Sequence, residues 1–152
     1  MSPNGRLAEV FAYIGSECAA VGLPFNPPEH IPNTRLALRA AEIVRSRSPE
    51  KFATVDQALF EAVFVTGDDI GDPGGLGAVL ASAGVDAASV SSALEAGEGI
   101  AELRQSMEAA HEAGVSGTPA WLLDGRLLIP GVQDHESIAI WVARMRKPRS
   151  SS

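Results

Sequence analysis

Cysteine is almost missing from this chain. Cys18 stands alone among 152 residues, which excludes an intrachain disulfide and, within these residues, a Cys-X-X-Cys redox pair. Three widely spaced histidines add no ligand pattern to that one thiol, so neither a metal nor another cofactor is expected. Basic residues are scarce as well. Twelve Lys and Arg face nineteen Asp and Glu, for a net charge of -7, and nucleic-acid binding needs a concentrated basic surface. The one basic cluster, Arg144, Arg146, Lys147 and Arg149, reads as a solvated end with favourable charge at a helix C-terminus. No long apolar run offers a membrane span. The first ten residues lack the cationic start and apolar core of a secretion signal, so a cytoplasmic location is expected.

Apolar residues make up 45% of the chain, enough for a real core, and the length suits one domain. Leu7, Val10, Phe11, Ile14, Cys18 and Val21 recur at helical spacing and form one face of a helix closed by Gly22. Cys18 sits on that stripe with no basic neighbour to activate it, a possible thiol that reads first as a buried small hydrophobe. Residues 23–32 hold four prolines in ten and form an extended crossing, with Phe25 and Ile31 as anchors and His30 exposed.

A second helix is predicted over 33–47, capped by Asn33 or Thr34, with Leu36, Ala40, Ile43, Val44 and Arg47 in rhythm. A third is predicted over 54–66, with Val55, Leu59, Ala62, Val63 and Phe64 inward and Phe60 on its flank. Between them, Ser48-Pro49 is a stop. Asp68, Asp69 and Asp72 lack calcium-loop spacing. Asp72 instead caps a helix that has Pro73 at its first position, and Ile70 plugs the turn. Leu76, Val79 and Leu80 face inward, Gly84 ends that helix, and Asp86 caps the next, which carries Val90 and Leu94. From Ile100 to Ala113 runs a long amphipathic pattern through Leu103, Met107 and Ala110, closed by Gly114 with Val115 beyond it. His111 lies on the solvent side of its last turn.

Two apolar strands follow, AWLLD and RLLIP, joined at Asp124-Gly125, a pair suited to a two-residue type I′ turn. Asp134 caps a last helix with the stripe Ile138, Trp141, Val142 and Met145. The strands are apolar at nearly every position, as in a sheet covered on both faces. The chain supplies few other strands, so a second chain is expected to cover them.

The run GVSGTPAWLLDGRLLIPG, followed by Gln133 and an amphipathic helix, resembles the C-terminal half of DsbA-like thioredoxin-fold proteins. Upstream, GLPFNPPEHIPNTRLALRAAEIV and ALFEAVFVTGDDIGDPGGLGAVLASAGVD are similar to the FrnE-like branch, relatives of the 2-hydroxychromene-2-carboxylate isomerases. The resemblance covers about Leu7 to Met145. It implies an α/β fold in a predominantly helical chain, with 1–147 a single incomplete DsbA-like domain and 148–152 a tail. Residues 7–113 would be a helical insertion, and 114–145 the cis-proline loop, hairpin and closing helix. Pro119 would be the cis-proline, and Thr118 would present its backbone to a substrate thiol or an extended peptide. The family's first strand and Cys-X-X-Cys helix start find no counterpart here, and Cys18 does not replace them. Two smaller departures are Ala37-Leu38, where Ala-His is usual, and Ala120 directly after the proline.

The resemblance therefore implies a thiol-disulfide oxidoreductase homologue without dithiol redox activity of its own, since exchange needs an attacking and a resolving thiol. A peptide- or partner-binding protein acting as a homodimer is the alternative. A glutathione-dependent isomerase-like protein is a further one. No nucleic-acid or membrane partner is expected.

Overall fold

The first apolar repeat winds into α1, Gly5–Ala20, in a computed structural model that describes residues 5–123, 127–131 and 133–146. Of its stripe Phe11 is buried, while Leu7, Ile14 and Cys18 are half-buried. Val10 and Val21 do not join them, being 45% and 66% exposed. Val21 lies just beyond the last residue of α1. The Pro-rich crossing is free of regular structure, as its missing N–H groups require. Phe25 anchors it by stacking on Phe64 at 6.2 Å and tilting against Phe11 at 6.2 Å. The expected second anchor fails: Ile31 is exposed and Pro32 is buried in its place. A residue's partner in an extended segment alternates sides, so a one-residue shift in which side faces the core exchanges the two.

The core is built on α2, Arg35–Arg47, whose N–H at Arg35 is accepted by the Asn33 side chain at 3.1 Å. Ala37, Ala40, Ala41, Ile43 and Val44 are buried, but Arg47 turns outward to pair with Glu98 at 2.6 Å. That exposed pair is worth at most about 1 kcal/mol. Small side chains along α2 let its neighbours approach closely. It packs against α3, Phe52–Glu61, and α5, Ala87–Glu95, while α4, Pro73–Ser82, packs against both of those. Burying Leu76 and Leu80, each 1% exposed, contributes about 1.5–3 kcal/mol apiece.

The third helix begins earlier than its pattern predicts. Pro49–Lys51 forms a 3-10 turn that runs directly into Phe52. Its end is wider than an α-helix: Ala62–Thr66 is a π turn. There the Ala62 carbonyl accepts the Gly67 and Asp68 N–H groups and the Thr66 hydroxyl. The Phe64 carbonyl is left to accept the Asn26 N–H at 2.6 Å, which ties the Pro-rich crossing to this turn. The acidic loop that follows is organised locally. Asp69 accepts from the Gly71 N–H at 2.8 Å, Asp72 caps α4 through the Gly75 N–H at 2.9 Å, and Ile70 is buried. Asp86 caps α5 in the same manner, accepting from Ser89 at 3.1 Å. Arg39 closes the other end of α5, donating to the Leu94 and Glu98 carbonyls at 2.7 and 2.9 Å.

Contacts divide the chain into two compact units, Met1–Leu103 and Arg104–Ser152. The division falls within α6, Ile100–Glu112. This helix has the predicted length and ends as predicted, with the Val115 N–H on the Ala110 carbonyl at 2.9 Å beyond Gly114. Its apolar face is largely open, however: none of its residues is buried and Met107 is 64% exposed. The second unit continues with β1, Ala120–Leu123, antiparallel to β2, Leu127–Pro130, and ends in α7, His135–Arg146. Leu123 faces Leu127. Asp124, Gly125 and Arg126 themselves lie outside the described residues, as do Lys147 and Arg149. Arg144 is exposed in the last turn of α7, as its reading as a basic helix end requires, and also places its guanidinium 5.3 Å from the Trp141 ring centroid.

Truncating Leu80 to Ala should cost about 2–5 kcal/mol in denaturant unfolding, because the site is filled on all sides. Truncating Met107 should stay within about 0.5 kcal/mol. A small loss at Leu80 would contradict the packing described for α4.

Candidate functional site

The loop between α6 and β1 holds the sequence-derived candidates Thr118 and Pro119. Helix α6 ends at Gly114, the chain crosses Ser116 and Gly117, and the Thr118–Pro119 peptide bond is cis. Both Thr118 and Pro119 are exposed. The carbonyl of Pro119 accepts the Gly131 N–H at 2.8 Å, one step beyond the last β-bridge pair, Ala120 and Pro130. Gly131 donates from φ +77°, a conformation that glycine adopts without steric cost. Beside it, the Gln133 amide donates to the Pro130 carbonyl at 2.9 Å. The loop is thus held from the β2 side by the Gly131–Pro119 hydrogen bond, while Gln133 braces the end of β2 itself.

Those bonds leave Thr118 open. Among the described residues neither its N–H nor its C=O has a backbone partner, and the residue leads straight into a strand of a two-stranded sheet. An extended chain laid alongside would find one donor and one acceptor at strand spacing, the arrangement that β-strand addition uses. The neighbouring hairpin is apolar toward solvent. Trp121 and Leu122 are 46% and 47% exposed, and adjacent strand residues point to opposite faces. Ile129, the cross-strand partner of Trp121, is buried.

The second sequence-derived candidate stands apart. Cys18 is half-buried in the last turn of α1, in the other compact unit, and these 152 residues hold no second cysteine. The sequence places it in mid-helix, but it stands at the C-terminal end of α1, where its thiol has no helix N-terminus. The supporting residues Gly131 and Gln133 were not legible as site residues from the sequence. A glycine directly after an apolar strand was the available signal, and it reads as easily as a plain strand terminator.

The closing helix is fixed at its start by electrostatics. Asp134 accepts the Ser137 N–H at 2.7 Å and the Ser137 hydroxyl at 2.8 Å. The Ser137 backbone bond first, and its hydroxyl second, hold the Asp134 carboxyl below the ordinary 3.8. A lowered folded-state value means that this cap stabilises α7 above the unfolded-state value and is lost as pH falls through the folded-state one. Carboxyl-detected titration should therefore place Asp134 below 3.8. Asp134→Asn should keep the acceptor but remove that acid-range dependence. An Asp134 value at or above the ordinary one would contradict the capping geometry.

A family model for the DSBA-like thioredoxin domain matches residues 3–140. No curated protein matches the chain significantly. The match spans most of the sequence and includes both the helical unit and the Thr118–Pro119 loop with its hairpin. The chain belongs to the DSBA-like thioredoxin domain family.

Proposed function

We propose that this chain is a FrnE-like member of its family that holds extended polypeptide at the Thr118–Pro119 loop, without carrying out a dithiol cycle of its own. The open backbone of Thr118 at the head of β1 is the observation that carries this reading. Thiol-disulfide exchange, the chemistry the family suggests, needs one thiolate to attack and a second thiol to resolve the mixed disulfide. One half-buried cysteine in a helix provides neither arrangement. The partition into a helical insertion over 7–113 and a substrate-facing portion over 114–145 belongs to the same proposal.

A fluorescent unfolded peptide should bind the wild-type chain and be released by a Thr118→Pro substitution, which removes the free N–H from the loop. Insulin-disulfide reduction should be negligible, and equally so in Cys18→Ser. Measurable reductase activity that disappears with Cys18 would overturn the non-redox reading; peptide affinity unchanged in Thr118→Pro would overturn the loop assignment.

The exposure of Trp121 and Leu122 on opposite faces of the hairpin favours a second element of the same reading, in which another copy of the chain covers this sheet. An isolated two-stranded hairpin is marginally stable in water, and exposed strand edges are ordinarily paired or covered. Light scattering coupled to size exclusion should give the mass of a dimer. A folded protein that stays monomeric at all concentrations tested would rule this element out.

A further inference from the structure

A pocket of about 260 Å³ opens in the first unit, between the Pro-rich crossing and the π turn at the end of α3. Its walls have an unusual donor balance. Pro27, Pro28 and Pro32 contribute pyrrolidine rings and carbonyls but no N–H. Val63 supplies an apolar floor, while Glu29 and Asp68 bring carboxylates to the rim. The Thr66 hydroxyl is already engaged with the Ala62 carbonyl and the Asp68 carboxylate. His30 directs Nε2 toward Asp69 at 3.7 Å. Among the described residues no Lys or Arg lines the cavity.

The lining is therefore rich in acceptors, carries two carboxylates with the Asn26 amide and His30 as further polar groups, and is walled in part by proline rings. A ligand that complements it carries several N–H donors and a positive charge at the end of a short apolar stem. We infer that this pocket binds an alkyl guanidinium or ammonium group, presented either by a free cation or by the side chain of a basic residue in a polypeptide. The stem would lie against the proline rings and the head between Glu29 and Asp68. A guanidinium is suited to this because its planar donors match carboxylates and its faces tolerate apolar walls. The pocket is lined by Asn26, whose N–H bonds the Phe64 carbonyl, and its lining includes neither Cys18 nor the Thr118–Pro119 loop, so it stands independently of the peptide-holding reading.

The test is an amide-resolved NMR titration of the full chain with arginine amide, using citrulline amide as the uncharged isostere. Saturable shifts at Asn26, Thr66, Gly67 and Asp68 are expected with the first and not with the second. The paired substitution Glu29→Gln and Asp68→Asn should weaken binding about fivefold or more, and Glu29→Gln alone should give part of that loss. Both side chains are exposed, so the thermal transition should be retained and serves as the folding control. A short peptide with one central arginine separates the sources. Binding about tenfold tighter than arginine amide indicates a polypeptide ligand, and equal binding a free cation. Shifts that do not saturate, that citrulline amide reproduces, or that survive the paired substitution unchanged would overturn the inference.

Discussion

One hydrogen bond, from the Asn26 N–H to the Phe64 carbonyl, does much to organise the first unit. A regular α-helix would have spent that carbonyl on its own next turn. The π turn at Ala62–Thr66 directs three donors to Ala62 instead and leaves Phe64 available to a segment that otherwise makes no regular structure. With the backbone joined there, Phe25 lies against Phe64, and Phe11 of α1 reaches Phe25 in turn. Phe60 extends the row at 6.3 Å from Phe64. The contact thus connects α1, the Pro-rich crossing and α3 through a short series of aromatic rings. The remaining core, around Ala40, Val44 and Val55, is a separate matter of small residues on α2 permitting close helix packing.

In the second unit the equivalent constraint is the bond between Gly131 and the Pro119 carbonyl. It extends the hairpin ladder by one step and fixes which backbone groups of the loop are spent. Pro119 is committed to its own sheet, and Thr118 is not. The same division of labour appears at α7, where Asp134 uses both carboxylate oxygens on one serine and so secures the helix start without help from elsewhere. Local chemistry carries most of this unit, consistent with a hairpin whose Trp121 and Leu122, on opposite faces, both remain open to water.

What the sequence disclosed follows the range of each interaction. The caps at Asp72, Asp86 and Asp134 were readable because an acceptor, its target N–H and the helix start lie within three residues. Inward residues of α4 and the buried Ile70 were readable because period and punctuation agreed. The choice between Ile31 and Pro32 was not, since it depends on which side of an extended segment meets a distant helix. Met107 and Val21 show the complementary limit: periodicity identifies an apolar face but not whether the chain supplies anything to cover it. The π turn left no mark, because one added residue per turn barely disturbs an apolar pattern already broad through Ala62, Val63 and Phe64. The DsbA-like character was legible in the Gly114–Gly131 run, and Cys18 was correctly placed on a helix but is less buried than its stripe suggested.

The density of prolines between Leu23 and Asn33 bears on entropy as well as shape. Each ring restricts the unfolded chain as much as the folded one, so little freedom remains to be surrendered when the segment docks. The same economy applies to any molecule that settles against it. A wall made of Pro27, Pro28 and Pro32 has almost no rotamers to freeze, so contacts formed there would translate into affinity with little reorganisation to offset them.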